Sequence, residues 1–255
     1  MTSLIRTEKS GSVLTLSFNR PDKKNALLTS MYADMAASLR AAAEDTDVRV
    51  VVVTGSGDSF CAGNDLKDFL ENPPMTPDAP VFQFMESFAR CPKPIIAAVN
   101  GIAVGVGTTM LLHCDLVYAA ATAKFQFPFV NIALVPEYAS TFLLPHLVGN
   151  ARASELMMLG EMFGAERALS LGILNGVCAP DALRTTVMEK AEALAAKPPT
   201  SLRKTKALLR AGAEKISAQI ELENKALGES LNSAEFKEAA TAFLEKRAPD
   251  FSKFK

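Results

Sequence analysis

Hydrophobic residues in the first half of the chain fall into short runs that predict β-strands. Residues 4–9 and 13–18 alternate or run apolar on either side of Ser10-Gly11-Ser12, which is typical of a hairpin. Residues 48–54 read VRVVVVT, and residues 94–99 read PIIAAV. Because continuous β-branched and apolar runs suit strands that are covered on both faces, these two segments predict central strands.

Helical patterns alternate with these strands. An amphipathic helix is predicted from Thr29, taken as its N-cap, to about residue 45, and shorter helices over residues 65–70, 81–90 and 108–112. Residues 115–119 predict one more strand. Strands that alternate with helices indicate an α/β fold with a mostly parallel sheet and right-handed crossovers.

The pattern changes from about residue 152, where helix follows helix. The predicted helical segments are residues 154–159, 165–171, 182–195 and a long stretch over 202–246, interrupted by a strand at residues 176–178. Residues 72–80, NPPMTPDAP, predict an irregular surface loop because proline fixes φ and lacks an N–H donor. The chain is therefore divided into a core domain over residues 1–195 and a helical C-terminal region over residues 196–255.

Composition and charge narrow the class of protein. The 255 residues are 49% hydrophobic and 22% charged, which is typical of a soluble globular enzyme. The formal net charge of -1 gives no reason to expect nucleic acid or a membrane surface as a partner. The four cysteines form no CxxC pair, and no segment is apolar enough to serve as a signal peptide or membrane span. We therefore expect a cytoplasmic protein.

Several cofactor and nucleophile motifs are missing. The chain has no Gly-Lys dipeptide for a P-loop and no GxSxG for a serine hydrolase. His113 and His146 belong to no HExxH or cysteine-rich set, so no metal site is expected. Gly105-Val106-Gly107 resembles the start of a dinucleotide fingerprint, but Met110 occupies the third glycine position. The sequence features that still point to a reaction are a set of glycine turns and one carboxylate.

Those glycine turns and that carboxylate lie within one stretch of the chain. After the strand at residues 94–99, Asn100-Gly101, Gly105 and Gly107 lead into a helix whose first N–H groups suit a developing negative charge. Glu137 follows in the loop Val135-Pro-Glu-Tyr138. N–H donors together with one carboxylate give a hypothesis of proton-transfer chemistry.

Five segments in a fixed order carry a resemblance to a known family. They are Asn19-Arg-Pro21, SFCAGNDL at 59–66, KPIIAAVNGIAVG at 93–105, CDLVYA at 114–119 and Gly172-Ile-Leu174. Together they resemble the crotonase (enoyl-CoA hydratase/isomerase) superfamily over roughly the whole chain. The resemblance implies a spiral of ββα units with a helical C-terminal trimerisation region, assembled as a homotrimer or a dimer of trimers. It also implies an acyl-CoA substrate and no separate cofactor, because coenzyme A enters as part of the substrate.

The resemblance also assigns residues. The backbone N–H groups of Asn64 and Val106 correspond to the two donors of the family's oxyanion hole, although glycine loops alone are also consistent with simple tight turns. The residues that correspond to the coenzyme A contacts are Lys24, Ala26, Ala62, Gly63, Asn64, Asp65 and Leu66. For Lys24 a solvated loop lysine is an equal alternative, and Asp65 also fits a helix N-cap.

The acids indicate which reaction of the family to expect. Hydratases of the superfamily use two glutamates, and Thr109 stands at the first of those positions. The loop around Glu137 instead resembles that of Δ3,Δ2-enoyl-CoA isomerases, in which one glutamate moves a proton from C2 to C4 during fatty acid β-oxidation. The alternatives are a hydratase or other thioester chemistry of the family, and a catalytically silent acyl-CoA-binding paralogue in which Glu137 only stabilises the following helix.

Overall fold

The computed structural model describes residues 3–74, 76 and 78–254. It forms two compact units, which are described separately. The first unit comprises Met1–Phe125 and Phe163–Ala211, and the second comprises Gln126–Met162 and Gly212–Lys255. The predicted α/β class is confirmed.

The first unit contains a six-stranded sheet. Its strands are β1 (Ile5–Ser10), β2 (Val13–Phe18), β3 (Val50–Gly55), β5 (Ile95–Val99), β7 (Leu116–Ala120) and β10 (Gly176–Cys178). They lie in the order β1-β2-β3-β5-β7-β10. The β1–β2 hairpin is antiparallel and the other pairs are parallel. The predicted hairpin and central strands are therefore confirmed.

A second, smaller sheet was not predicted. Its strands are β4 (Ser59–Cys61), β6 (Ile102–Val104), β8 (Lys124–Gln126) and β9 (Phe163–Gly164), in the order β4-β6-β8-β9. The β4–β6 pair is parallel and the β8–β9 pair is antiparallel. Strands of two or three residues are too short to show a hydrophobic period, so the sequence pattern gave no signal for this sheet.

Among its described residues, the first unit contains seven α-helices. They are α1 (Thr29–Glu44), α2 (Leu66–Glu71), α3 (Pro80–Ala89), α4 (Val106–Thr109), α7 (Ala165–Ser170), α8 (Leu183–Ala195) and α9 (Pro199–Leu209). Helix α1 packs against α3. Helix α8 covers one face of the large sheet, where Leu183 and Val187 pack in one apolar cluster with Val52. Both faces of β3 are buried, as its continuous apolar sequence predicts.

The start of α1 differs from the prediction. Leu28 is the N-cap and Thr29 is the first helical residue, so Thr29 is not the cap. The Thr29 N–H and hydroxyl both donate to a carboxylate oxygen of Asp68, each at 2.7 Å. Asp68 lies 39 residues further along the chain. A side chain from α2 therefore satisfies the helix start, which local sequence rules cannot anticipate.

The helices of the second unit are α5 (Ser140–Val148), α6 (Asn150–Leu159), α10 (Ala213–Leu231) and α11 (Ala234–Leu244). The long stretch predicted over residues 202–246 consists of α9, α10 and α11, of which α9 belongs to the first unit. The domain boundary placed after residue 195 stays a prediction. Within the described residues, no helix combines the length and the hydropathy that a membrane span needs.

The proline-rich segment is irregular where it is described. Residues 72–74, 76, 78 and 79 lie outside helices and strands, and Pro80 is the first residue of α3. Met75 and Pro77 lie outside the described residues.

The predicted helix over residues 108–112 begins earlier, at Val106, and continues after Thr109 as a 3-10 turn, Met110–His113.

Candidate active site

The small sheet brings the two predicted oxyanion donors to the same edge. Strands β4 and β6 are parallel neighbours, with Ser59 paired to Ile102 and Cys61 to Ala103. Asn64 lies three residues after the end of β4, and Val106 lies two residues after the end of β6. Because the carboxyl ends of parallel strands meet at one edge, the two residues follow neighbouring strand ends.

The N–H groups of these residues have no acceptor among the described residues. Leu27 and Asn64 form an isolated parallel β-bridge. In this bridge the Leu27 N–H donates to the Gly63 carbonyl at 2.8 Å and the Leu27 carbonyl accepts from the Asp65 N–H at 2.9 Å, so the N–H of Asn64 is not used. Val106 is the first residue of α4, where N–H groups have no partner within the helix. An oxyanion hole requires backbone N–H groups that are free to donate to the negative oxygen, and these two N–H groups meet that requirement.

Glycine allows these loops to pack closely. Gly63 has a φ of +90°, a conformation that L-residues rarely adopt, and a Cβ there would lie 3.0 Å from the Val104 carbonyl oxygen. A Cβ at Gly107 would lie 2.4 Å from the Cys61 carbonyl oxygen, which is too close for any side chain. The end of β4 and the start of α4 therefore fit together only with glycine at position 107.

Tyr32 is a neighbour of the site that the sequence did not indicate. It lies on α1 and is buried, and its hydroxyl donates a hydrogen bond to the side-chain oxygen of Asn64. This contact holds the side chain of Asn64, the residue that is predicted to carry the first oxyanion donor. The two residues are 32 positions apart and share no motif, so no local signal links them.

The predicted coenzyme A contacts from two separate segments lie together. The Ala62 N–H donates to the Lys24 carbonyl at 3.0 Å. Arg20 donates to the Ala26 carbonyl at 3.1 Å and to an Asp65 carboxylate oxygen at 2.8 Å. The loop before α1 is therefore held against the loop that carries Asn64, and Arg20 is a further residue that the sequence reasoning missed.

Two charged residues of this group have partners already. Lys24 forms an exposed ion pair with Asp58 at 2.7 Å, and since exposed pairs contribute little, its charge stays available to a phosphate. Asp65 is the N-cap of α2, accepting from the N–H groups of Lys67 and Asp68, both at 3.1 Å. Burial alone would raise the pKa of the Asp65 carboxyl, but Arg20 and the helix N–H groups lower it overall. The N-cap interpretation of Asp65 is thus confirmed.

A cavity of about 320 Å³ opens beside Asn64. Its lining includes Tyr32, Phe69, Pro73 and Val81. The volume and the apolar lining suit a small ligand or part of a larger one. By contrast, Phe84 and Phe88 of α3 are fully buried and pack ring against ring with centroids 5.5 Å apart, so they belong to the core.

Glu137 lies in the second unit and is buried, with 7% of its surface exposed. Tyr138 and Ala139, which follow it, both have left-handed backbone angles, with φ of 65° and 54°. This conformation costs roughly 1–2 kcal/mol per residue for L-amino acids. Helix α5 begins directly afterwards at Ser140.

A different carboxylate occupies the N-terminus of α5. Glu223, on α10, accepts hydrogen bonds from the N–H groups of Ala139 at 2.6 Å and Thr141 at 3.0 Å. This contact weakens the alternative in which Glu137 serves only to stabilise that helix start. The role of Glu137 beside the oxyanion hole stays a prediction, because Asn64 and Val106 belong to the first unit.

Comparisons with known proteins match nearly the whole chain. The family model for enoyl-CoA hydratase/isomerase matches residues 8–254. The 1,2-epoxyphenylacetyl-CoA isomerase of Escherichia coli (strain K12) is 36% identical over 262 residues, covering 99% of both chains. The enoyl-CoA delta isomerase 2 of Rattus norvegicus is 35% identical over 206 residues, covering 78% of this chain and 52% of that protein.

A solved structure agrees with the same relationship. The enoyl-CoA hydratase/isomerase from Pseudoalteromonas atlantica T6c superposes with a TM-score of 0.93 at 43% identity, covering 98% of this chain and 100% of that chain. The fold that the sequence motifs implied is therefore confirmed.

Proposed function

This chain belongs to the enoyl-CoA hydratase/isomerase family, and from that premise we propose that it is a Δ3,Δ2-enoyl-CoA isomerase. The observation that carries the proposal is the identity of residue 109. Hydratases of the family have a glutamate there, whereas this chain has a fully buried threonine. A threonine cannot act as a carboxylate base toward water, so Glu137 is left as the acid and base of the loop.

The reaction needs one carboxylate and two N–H donors. Glu137 takes the proton from C2 of a 3-enoyl-CoA, and the electron pair moves to the thioester oxygen. The N–H groups of Asn64 and Val106 stabilise the resulting dienolate. Glu137 then returns the proton to C4, and the double bond settles between C2 and C3. No proton or electron is gained or lost overall, so the reaction requires no cofactor other than the coenzyme A of the substrate.

Substrate binding follows from the same loops. Coenzyme A would contact Lys24, Ala26 and the segment 62–66, and the acyl chain would enter the cavity beside Asn64. Support comes from the similarity to an enoyl-CoA delta isomerase and from the exposed charge of Lys24 near these loops. Under this proposal the protein acts in fatty acid β-oxidation.

An assay of the purified protein tests the reaction. We expect it to convert 3-trans-hexenoyl-CoA into the conjugated 2-enoyl thioester, seen as a rise in ultraviolet absorbance, without hydrating crotonyl-CoA. Fast hydration of crotonyl-CoA would contradict the proposal, because it would mean that another group replaces the acid missing at Thr109. If neither thioester reacts, binding of acyl-CoA measured by calorimetry separates a silent paralogue from an enzyme with another substrate.

A second candidate is isomerisation of an epoxyphenylacetyl thioester of coenzyme A. It is favoured by the end-to-end similarity to the Escherichia coli enzyme of that name, at 36% identity over 99% of both chains. The same oxyanion donors would serve, since the thioester carbonyl is common to both substrates. Adding this thioester to the assay panel decides between the two, by which substrate has the higher kcat/KM.

We further propose that the chain assembles as a homotrimer or a dimer of trimers. The second unit carries large apolar side chains that are exposed in the single chain, namely Leu147, Met158, Leu159, Met162, Leu222 and Phe243. Met158, Leu159 and Met162 are close together in the sequence, and grouped exposed apolar side chains are typical of a surface that a partner subunit covers. Light scattering after size exclusion is expected to give three or six times the 27.3 kDa of one chain, and a monomer would contradict this assembly.

A further inference from the structure

The link between Glu137 and α5 is a strained turn without a cap of its own. Tyr138 and Ala139 are consecutive non-glycine residues with positive φ, of 65° and 54°. Such a conformation persists only where the surroundings hold it. Ala139 is the N-cap residue of α5, and its methyl group cannot accept the hydrogen bond that a cap normally provides.

Glu223 supplies the missing cap from another helix. One of its carboxylate oxygens accepts from the Ala139 N–H at 2.6 Å, and the other accepts from the N–H of Thr141 at 3.0 Å and from the Thr141 hydroxyl. The side chain is buried, with 5% of its surface exposed. Burial raises the pKa of Glu223, and the three hydrogen bonds oppose that rise without cancelling it.

From this geometry we propose that Glu223 is a positioning residue for Glu137, an inference that rests on the function proposed above. Ala139 lies two residues after Glu137, and the Ser140 N–H donates to the Glu137 carbonyl at 3.2 Å within the same turn. The backbone that sets the direction of the Glu137 side chain is therefore continuous with the backbone that Glu223 holds. Proton transfer at C2 and C4 depends on that direction.

A carboxylate is needed at position 223, and an amide cannot replace it. Three groups in the described part of the chain donate to Glu223, and they are divided between its two oxygens. A glutamine has one oxygen and one NH2 group. Whichever way the amide is turned, its NH2 group faces a backbone N–H, so the turn loses at least one hydrogen bond.

The test compares Glu223→Gln with a control on the same helix. Gln219 also lies on α10, and its side-chain amide donates to the Thr141 hydroxyl at 2.8 Å, a side-chain contact rather than a hydrogen bond to the backbone of the turn. We expect Glu223→Gln to lower kcat for 3-trans-hexenoyl-CoA about 10- to 100-fold, since small displacements of a catalytic group have effects of this size. KM is expected to change less than about threefold, and Gln219→Ala to keep kcat within about twofold.

A lower kcat with a nearly unchanged KM would distinguish a positioning role from a purely structural one. If Glu223 only stabilised the fold, Glu223→Gln would lower the melting temperature and the yield of active enzyme, while kcat per acyl-CoA-binding site would stay unchanged. That result would overturn the proposal.

Should Glu223→Gln fail to fold, Thr141→Val removes one of the three donors in a side chain of similar shape. Its kcat is expected to fall about two- to tenfold, and an unchanged kcat would likewise overturn the proposal.

A double substitution separates this inference from the proposed function. If Glu223 acts through Glu137, adding Glu223→Gln to Glu137→Gln should lower the residual rate by less than about threefold. If Glu137→Gln alone is fully active, the assignment of Glu137 as the acid and base fails. If Glu137→Gln is inactive and Glu223→Gln is fully active, the proposed function stands and only the positioning role fails.

Discussion

Replacing Glu137 by glutamine is expected to lower kcat for 3-enoyl-CoA isomerisation about 1,000-fold, with acyl-CoA binding nearly unchanged. Glutamine has the shape of glutamate but cannot take a proton from C2 or deliver one to C4. General acid–base groups typically contribute about 100- to 10,000-fold to the rate, and in the proposed mechanism one group performs both proton transfers. The measurement is kcat and KM with 3-trans-hexenoyl-CoA, together with the Kd of a saturated acyl-CoA by calorimetry.

The control for this variant is another glutamate-to-glutamine substitution, at a position for which no catalytic role is proposed. Glu221 is an exposed glutamate on α10, and Glu221→Gln should behave as the wild type. Full isomerase activity of Glu137→Gln would show that another group transfers the proton. A wild-type protein that binds acyl-CoA but turns over none of the thioesters would instead favour the silent paralogue.

Replacing Val106 by proline is expected to lower kcat about 100- to 1,000-fold, which is the usual effect of removing one oxyanion-hole donor. Proline has no N–H, and it is well accommodated at the first position of a helix, where Val106 stands at the start of α4. The hydrogen bonds from Thr108 and Thr109 to the Gly105 carbonyl do not involve this N–H. The substitution thus removes the N–H without removing a donor or acceptor of those two hydrogen bonds.

Val106→Ala is the matched control for the proline variant. It also shortens a buried side chain but keeps the N–H. We expect it to lose some thermal stability and to keep most of its kcat. Equal losses of kcat in the two variants would mean that the side chain matters and the N–H does not, and the donor assignment would then be wrong.

The two substitutions test different levels of the proposal. An oxyanion donor at Val106 would serve any reaction that places negative charge on a thioester oxygen, so Val106→Pro should impair an isomerase, a hydratase or an epoxyphenylacetyl-CoA isomerase alike. Glu137→Gln tests the transfer of a proton by one carboxylate. If Val106→Pro loses activity and Glu137→Gln does not, the assignment of the oxyanion hole stands. The proton would then be transferred by an acid other than Glu137.

The sequence alone determined those parts of the protein whose signals are local. The strand β3 follows from a run of valines, and the β1–β2 hairpin from two apolar segments around Gly11, because a side chain's neighbours along a strand are also its neighbours in sequence. The ordered motifs around Asn64 and Val106 were enough to indicate the family, since each motif is a continuous segment. The N-cap role of Asp65 was also readable, because it depends on the residues directly after it.

Only the tertiary structure decided the parts that depend on distant residues. The strands β4 and β6 are three residues long, and their pairing across more than 40 positions is what places Asn64 and Val106 at one edge. Glu223 meets the turn after Glu137 across 84 positions, and Tyr32 meets Asn64 across 32. Contacts of this kind leave no period or motif in the sequence, because their partners become neighbours only when the chain has folded.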